Sequence, residues 1–127
     1  MKRFYSIALL LLFNLGCGQT KSKHIIEFLE ENPVGIVLVD VRTPEEYNAG
    51  HLDNATNINL FDVEFEQKFA TIDKEETIYV YCKVGGRSAK AQEKLMSLGY
   101  TKVINLEGGY DAVLADQKKV ISKKQSL

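Results

Sequence analysis

What the chain lacks narrows its class before any motif is read. With only two prolines, and no internal repeat or low-complexity stretch, it is neither a fibrous nor a disordered protein. A formal net charge of −1 leaves no basic excess for phosphate backbones, so nucleic acid is not expected as a partner. Two histidines and two cysteines form no cluster at metal-ligand spacing, and neither a metal nor a cofactor is implied. What remains, 127 residues of which 45% are hydrophobic and 26% charged, is the composition of one compact soluble domain.

The first residues stand apart from that domain. Lys2 and Arg3 precede the apolar run from Ser6 to Phe13, which is too short to span a bilayer as a lasting helix and reads as an export signal. Gly16-Cys17 follows directly. This resembles a bacterial lipoprotein signal, in which the cysteine is lipidated and becomes the new N-terminus; Asn14 stands where such signals usually carry leucine, so cleavage by the ordinary secretory peptidase stays open. Residues 1–17 are therefore expected to be a signal segment, with Cys17 a lipidation site and the protein exported to the periplasm or cell envelope as a membrane-anchored lipoprotein. Loss of Lys2 and Arg3 leaves a mildly acidic mature chain, so attachment would come from acyl chains. Cys82 would then be the one free thiol.

Residues 18–23 are polar and read as a tether, residues 24–116 as the domain, and residues 117–127 as a basic tail. Ile25, Phe28 and Leu29 recur at helical spacing until Asn32-Pro33. His24 opens this helix as a solvated residue. Ile36 to Val41 is an apolar run of the kind buried on both faces of a parallel sheet, and it ends in Asp40 and Arg42. Thr43-Pro44-Glu45-Glu46 starts a helix through a capping box, and Gly50 stops it. A short strand is expected within 55–60, and a helix over 62–69 with Val63, Phe65 and Phe69 to bury. Thr77 to Tyr81 is the next strand, Ser88 to Leu98 the best helix, Val103 to Leu106 a strand, and Gly108-Gly109 a turn into the last helix. Strands alternating with helices predict an α/β fold, a mainly parallel sheet of four to five strands with helices on both faces.

The chemistry is concentrated in Cys82-Lys83-Val84-Gly85-Gly86-Arg87-Ser88. A cysteine delivered to a strand tip is followed by two glycines, two cations and a hydroxyl, a composition suited to a loop whose N–H groups turn inward around an anion. A lone cysteine at a strand end is otherwise a small buried hydrophobe, so the loop decides.

These residues identify a resemblance to the rhodanese family, specifically its small single-domain sulfurtransferases, over Ile36 to Leu114. Asp40-Val41-Arg42, Glu46-Tyr47, Gly50-His51-Leu52, Asn54-Ala55 and Asn57 fall in the order of the family's N-terminal signature. The segment Cys82 to Ser88 is similar to its active-site loop, and Leu106-Glu107-Gly108-Gly109-Tyr110 to its C-terminal signature. Val113 departs from a frequent tryptophan, and no first strand is evident in 19–23.

The resemblance implies a three-layer rhodanese-like sandwich and sulfur transfer. The Cys82 thiolate would take a sulfane sulfur from a small anionic donor such as thiosulfate, hold it as a persulfide, and pass it to a thiol or cyanide acceptor. Lys83, Val84, Gly85, Gly86, Arg87 and Ser88 would form the substrate cradle, with Lys83 and Arg87 drawing in a dianion. Asp40 and Arg42 would either brace the loop or form a structural ion pair. His51 is expected to be architectural. A phosphatase or arsenate reductase is the rival enzyme; the four residues between Cys82 and Arg87, against five in the related phosphatases, favour a single sulfur over a phosphoryl group. The rival from another class is a non-catalytic binding module or a persulfide carrier.

Overall fold

The computed structural model describes residues 20–126. The signal segment and Cys17 lie outside the described residues. Ten elements follow in chain order: β1 (Lys21–His24), α1 (Ile25–Glu31), β2 (Val37–Asp40), α2 (Pro44–Ala49), β3 (Thr56–Asn57), α3 (Phe65–Phe69), β4 (Ile78–Tyr81), α4 (Gly86–Ser97), β5 (Val103–Glu107) and α5 (Gly109–Gln125). The strands form one parallel sheet in the order β1-β5-β4-β2-β3. All strand C-terminal ends thus lie along one edge, the edge that presents Cys82.

Side-chain alternation builds the three layers. Val39, Ile78, Val80 and Val103 point to one face and pack with Phe65, Phe69, Ala91 and Leu95 of α3 and α4. Leu38, Tyr81 and Leu106 point to the other, against Ile25 and Phe28 of α1 and Val113 of α5. Strands buried on both faces explain the continuous apolar runs of the sequence. The capping box of α2 forms as expected: Thr43 Oγ1 accepts from Glu46 N at 3.3 Å, and Thr43 N donates to Glu46 Oε2 at 3.0 Å.

Four expectations change. Lys21–Lys23, read as tether from their polarity, are the first strand, registered against Ile104–Leu106 of β5. Polarity misleads there because β1 is an edge strand, and its hold on the domain is backbone pairing, supplemented by Gln92 Nε2 donating to Lys21 O at 2.6 Å. Val63 is fully exposed while Phe65 and Phe69 are buried, because α3 starts only at Phe65. Helix α4 begins at Gly86, two residues before Ser88, and Gln92 is buried on its inner face while Ala89 and Leu98 are half-buried. Finally, α5 runs unbroken to Gln125, so no structural boundary separates the domain from the basic tail.

Candidate active site

Strand β4 delivers Cys82 to the sheet's C-terminal edge on the face covered by α4, where it is 1% exposed among Val80, Ala91 and the rest of that core. The chain then turns through Gly85, whose φ of +117° only glycine adopts without strain, and enters α4. Gly86 has no positive φ, and a side chain there would meet open space, so of the two loop glycines only Gly85 is demanded by the backbone. The first turn of α4 consequently lies over the sulfur. Gly85 N donates to Cys82 Sγ at 3.1 Å, and Ser88 Oγ lies 3.4 Å from it.

Burial alone pushes the Cys82 thiol up, since it penalises the thiolate. The Ser88 hydroxyl and the N–H groups of Ser88, Gly85 and Val84 together outweigh it, and the thiol lies below its ordinary value. The helix N-terminus acts in the same sense. Ser88 Oγ also lies 3.1 Å from Gly85 O, so its single hydrogen has two acceptors, and a thiolate competes for it better than a neutral thiol. Asn105 of β5 supports the turn from below, its Nδ2 reaching Gly85 O at 3.4 Å while its buried Oδ1 has no partner among the described residues.

The two cations of the loop are each paired with a carboxylate. Arg87 Nη1 and Nη2 donate to the two oxygens of Glu46 at 2.7 and 2.8 Å, across 41 residues of sequence. This holds the Glu46 carboxyl down to about 2; Arg87 is the main cause, opposed by burial and aided by the Thr43 N–H and hydroxyl. Lys83 Nζ donates to Asp111 Oδ2 at 2.7 Å in a solvent-exposed pair. The hydrogen bonds to Cys82 Sγ therefore come from the Gly85 N–H and the Ser88 hydroxyl, while both side-chain charges are shared with carboxylates of α2 and α5 and the Arg87 charge still interacts with Cys82. Val84, at the loop tip, is exposed.

Asp40 and Arg42 form the structural pair. Arg42 Nη2 donates to Asp40 Oδ2 and to Gly50 O, each at 2.6 Å, and Arg42 N donates to Asp40 Oδ1 at 2.9 Å. The guanidinium lies 4.5 Å from the Tyr110 ring centre and 5.7 Å from that of Tyr81. Neither residue hydrogen-bonds to 82–88 among the described contacts. His51 stacks on Tyr47 with ring centres 3.6 Å apart and shares a hydrogen with Tyr47 O, the architectural place expected of it.

Reasoning from sequence placed the start of α5 correctly but missed both it and Glu46 as partners of the loop. Tyr110 N donates to Cys82 O at 2.9 Å and Asp111 N to Lys83 O at 3.0 Å, so α5 clamps the backbone on which the sulfur sits. A Cβ on Gly109 would lie 2.6 Å from Cys82 O and closer still to Lys83 O, so only glycine lets the two backbones meet. The Gly108-Gly109 pair was a visible signal, though it said turn and not contact. Among the described residues no group of three or more His, Cys, Asp or Glu is placed to hold a metal ion.

Residues 23–116, which carry the loop and every contact made to it, match the family described as rhodanese-like domain. The chain belongs to the rhodanese-like domain family. Among curated proteins it is similar to the thiosulfate sulfurtransferase PspE of Escherichia coli, at 40% identity over 63% of this chain and 77% of that one. It is also similar to a sulfurtransferase of Allochromatium vinosum, at 35% identity over 58% of this chain and 67% of that protein. Among solved structures, the rhodanese-like domain protein of Staphylococcus aureus superposes with a TM-score of 0.66 at 33% identity, over 73% of this chain and 90% of that one. The rhodanese-like fold expected from the sequence is thus the fold of the described chain, with β1 supplying the strand that seemed missing.

Proposed function

We propose that this rhodanese-like protein is a sulfurtransferase that carries a sulfane sulfur as a persulfide on Cys82, with thiosulfate or a similar small anion as donor and a thiol or cyanide as acceptor. The observation that carries the reading is the convergence of the Gly85 N–H and the Ser88 hydroxyl on a buried Sγ at the N-terminus of α4. In the first step the Cys82 thiolate attacks the outer sulfur of the donor. A new S–S bond forms as the bond to the sulfonate sulfur breaks, and sulfite leaves with that electron pair. In the second step the acceptor attacks the outer sulfur, and Cys82 departs as thiolate into the same cradle. No external oxidant enters, and the hydrogen bonds that lower the thiol's pKa raise the share of thiolate available for the attack.

Low exposure keeps the Cys82 thiol from casual oxidation. The four residues between Cys82 and Arg87 favour a single sulfur over a phosphoryl group in the same loop. Incubation of the protein with thiosulfate is expected to add one sulfur atom by mass spectrometry, and Cys82→Ser to abolish the gain. Absence of an adduct with every sulfane donor would leave a non-catalytic binding module, and an unchanged adduct in Cys82→Ser would place the chemistry on another residue.

We further propose that the chain is exported to the cell envelope and anchored through acylated Cys17, on the strength of the basic start, short apolar run and Gly16-Cys17. Membrane fractionation of wild type and Cys17→Ala tests this. A wild type found in the soluble fraction would refute it.

A further inference from the structure

We propose that the C-terminal half of α5 lies on an anionic lipid surface, at the end of the domain opposite Cys82. Because all five strands are parallel, the two ends of the sheet differ in kind. One end carries the Cys82 loop, and there α5 begins, fastened by Tyr110 N to Cys82 O and by Asp111 N to Lys83 O. The helix then returns across the sheet. Val113 packs in the core with Leu106 and Phe28, and Gln117 borders a cleft with Asn32, Pro33 and Ile36, the turn that enters β2. By Gln117, then, α5 has traversed the depth of the sheet. Residues 118–125 project beyond it for roughly 12 Å at 1.5 Å per residue.

Every residue from Leu114 to Ser126 is exposed, yet the projecting part is not uniformly polar. Val120 and Ile121 are 50% and 55% exposed. At 100° per residue they fall on one side of the helix with Leu114, and Lys118 and Lys123 flank that stripe. Lys124 sits one turn beyond, where a long side chain can lay its methylenes along the stripe and lift its ammonium clear. Residues 117–125 hold four lysines and no carboxylate, in a chain whose net charge is −1. None of the four makes an ion pair among the described residues.

That combination selects a lipid leaflet. Aliphatic side chains with unpaired lysines around them suit the boundary between acyl chains and anionic headgroups, where no matched carboxylates are needed. A protein partner would require complementary acids at fixed positions. No described helix is long and apolar enough to cross a membrane, so the contact is one of lying on the surface. Two aliphatic residues and four lysines make a weak, reversible contact, suited to act beside a second attachment. Geometry supplies a place for one: β1 starts at Lys21 on this same end of the sheet, so an anchor on the preceding segment would hold the same face to the bilayer and turn Cys82 away from it.

The chain has no tryptophan, so a single introduced one reports its own surroundings. The full chain carrying Val120→Trp is mixed with phosphatidylcholine vesicles containing about 30% phosphatidylglycerol, a strongly anionic surface. The expected result is a blue shift of emission that disappears in high salt, with none for Val84→Trp at the opposite end. Adding Lys118→Glu, Lys119→Glu, Lys123→Glu and Lys124→Glu to Val120→Trp should weaken partitioning about tenfold or more. Both chains keep the same first 19 residues, so the difference belongs to α5. Retained sulfur transfer in the quadruple variant checks its fold. The proposal is overturned by no shift at 120, by equal shifts at 84 and 120, by an equal shift with neutral vesicles, or by a shift that appears without vesicles as protein concentration rises, which would mean pairing of two α5 helices.

Discussion

Strands β2 and β4 are neighbours that end at the same edge of the sheet, and in sequence they look alike: an apolar run, then charge. Their ends do opposite things. At the end of β2, Asp40 and Arg42 satisfy each other over two residues, and Gly50 O takes the guanidinium hydrogen that remains near it. Arg42 Nε and Nη2 are thereby matched, and neither Asp40 nor Arg42 has a hydrogen bond to residues 82–88 among the described contacts. At the end of β4 the donors are backbone N–H groups at a helix N-terminus, which have no intrahelical acceptor, and the nearest atom offered to them is a sulfur. A strand end becomes a chemical site when its donors outnumber its built-in acceptors. It becomes a brace when the two are matched.

The largest expected effect separates brace from site. Asp40→Asn leaves the Arg42 guanidinium buried beside a neutral amide, and loss of one partner from a buried pair costs about 3–5 kcal/mol. Denaturant unfolding should show that loss, while the folded fraction of the variant still forms the Cys82 persulfide. Cys82→Ser should show the converse, no persulfide and nearly unchanged stability. If Asp40→Asn instead folded normally and lost only sulfur transfer, the contrast between the two strand ends would collapse.

Glu46 sharpens the comparison because it belongs to both regions. Its carboxylate closes the capping box after β2 and holds Arg87 of the loop after β4. Folding takes this carboxyl from an ordinary 4.5 to about 2, so the native state favours the ionised form. The stabilisation is therefore complete above about pH 4.5 and fades as the pH falls towards 2. Glu46→Gln should cost about 2 kcal/mol at neutral pH, after allowance for solvent at a pair whose side chains are 23% and 30% exposed. Unfolding followed from pH 6 to 2 should show a shallower decline in the variant than in wild type. Parallel curves would mean that the pair contributes nothing.

Much of this was legible in the sequence. The run Ile78 to Tyr81 announced a buried strand, Thr43 and Glu46 announced a capping box, and the order of motifs around Cys82 announced the fold. What was not legible depends on contacts between distant segments. Lys21–Lys23 look like a linker because an edge strand keeps its polar side chains, and its commitment to the sheet lies in backbone hydrogen bonds that leave no pattern. The partners of Lys83 and Arg87 lie 28 and 41 residues away, so spacing within the loop could only suggest that its cations were free. Gly109 was readable as a turn former, but the closeness of its backbone to Cys82 and Lys83 is a property of the assembled sheet.

The smallest effect falls on Lys83, the loop cation first expected to draw in the donor. Its pair with Asp111 is between side chains 57% and 41% exposed, so in water the attraction is largely screened and holding two flexible groups together costs entropy. Lys83→Ala should then change stability by no more than about 0.5 kcal/mol. Its effect on KM for thiosulfate should stay within about threefold at physiological salt, because the charge removed is already offset by a neighbouring carboxylate. Asp111→Asn makes the sharper test: it leaves Lys83 charged but uncompensated, and should lower KM at low ionic strength with the advantage vanishing as salt is added. Should Lys83→Ala raise KM tenfold or more while Asp111→Asn changes nothing, the lysine would be meeting the donor directly, and the loop after β4 would owe its charge to side chains as well as to the helix that covers it.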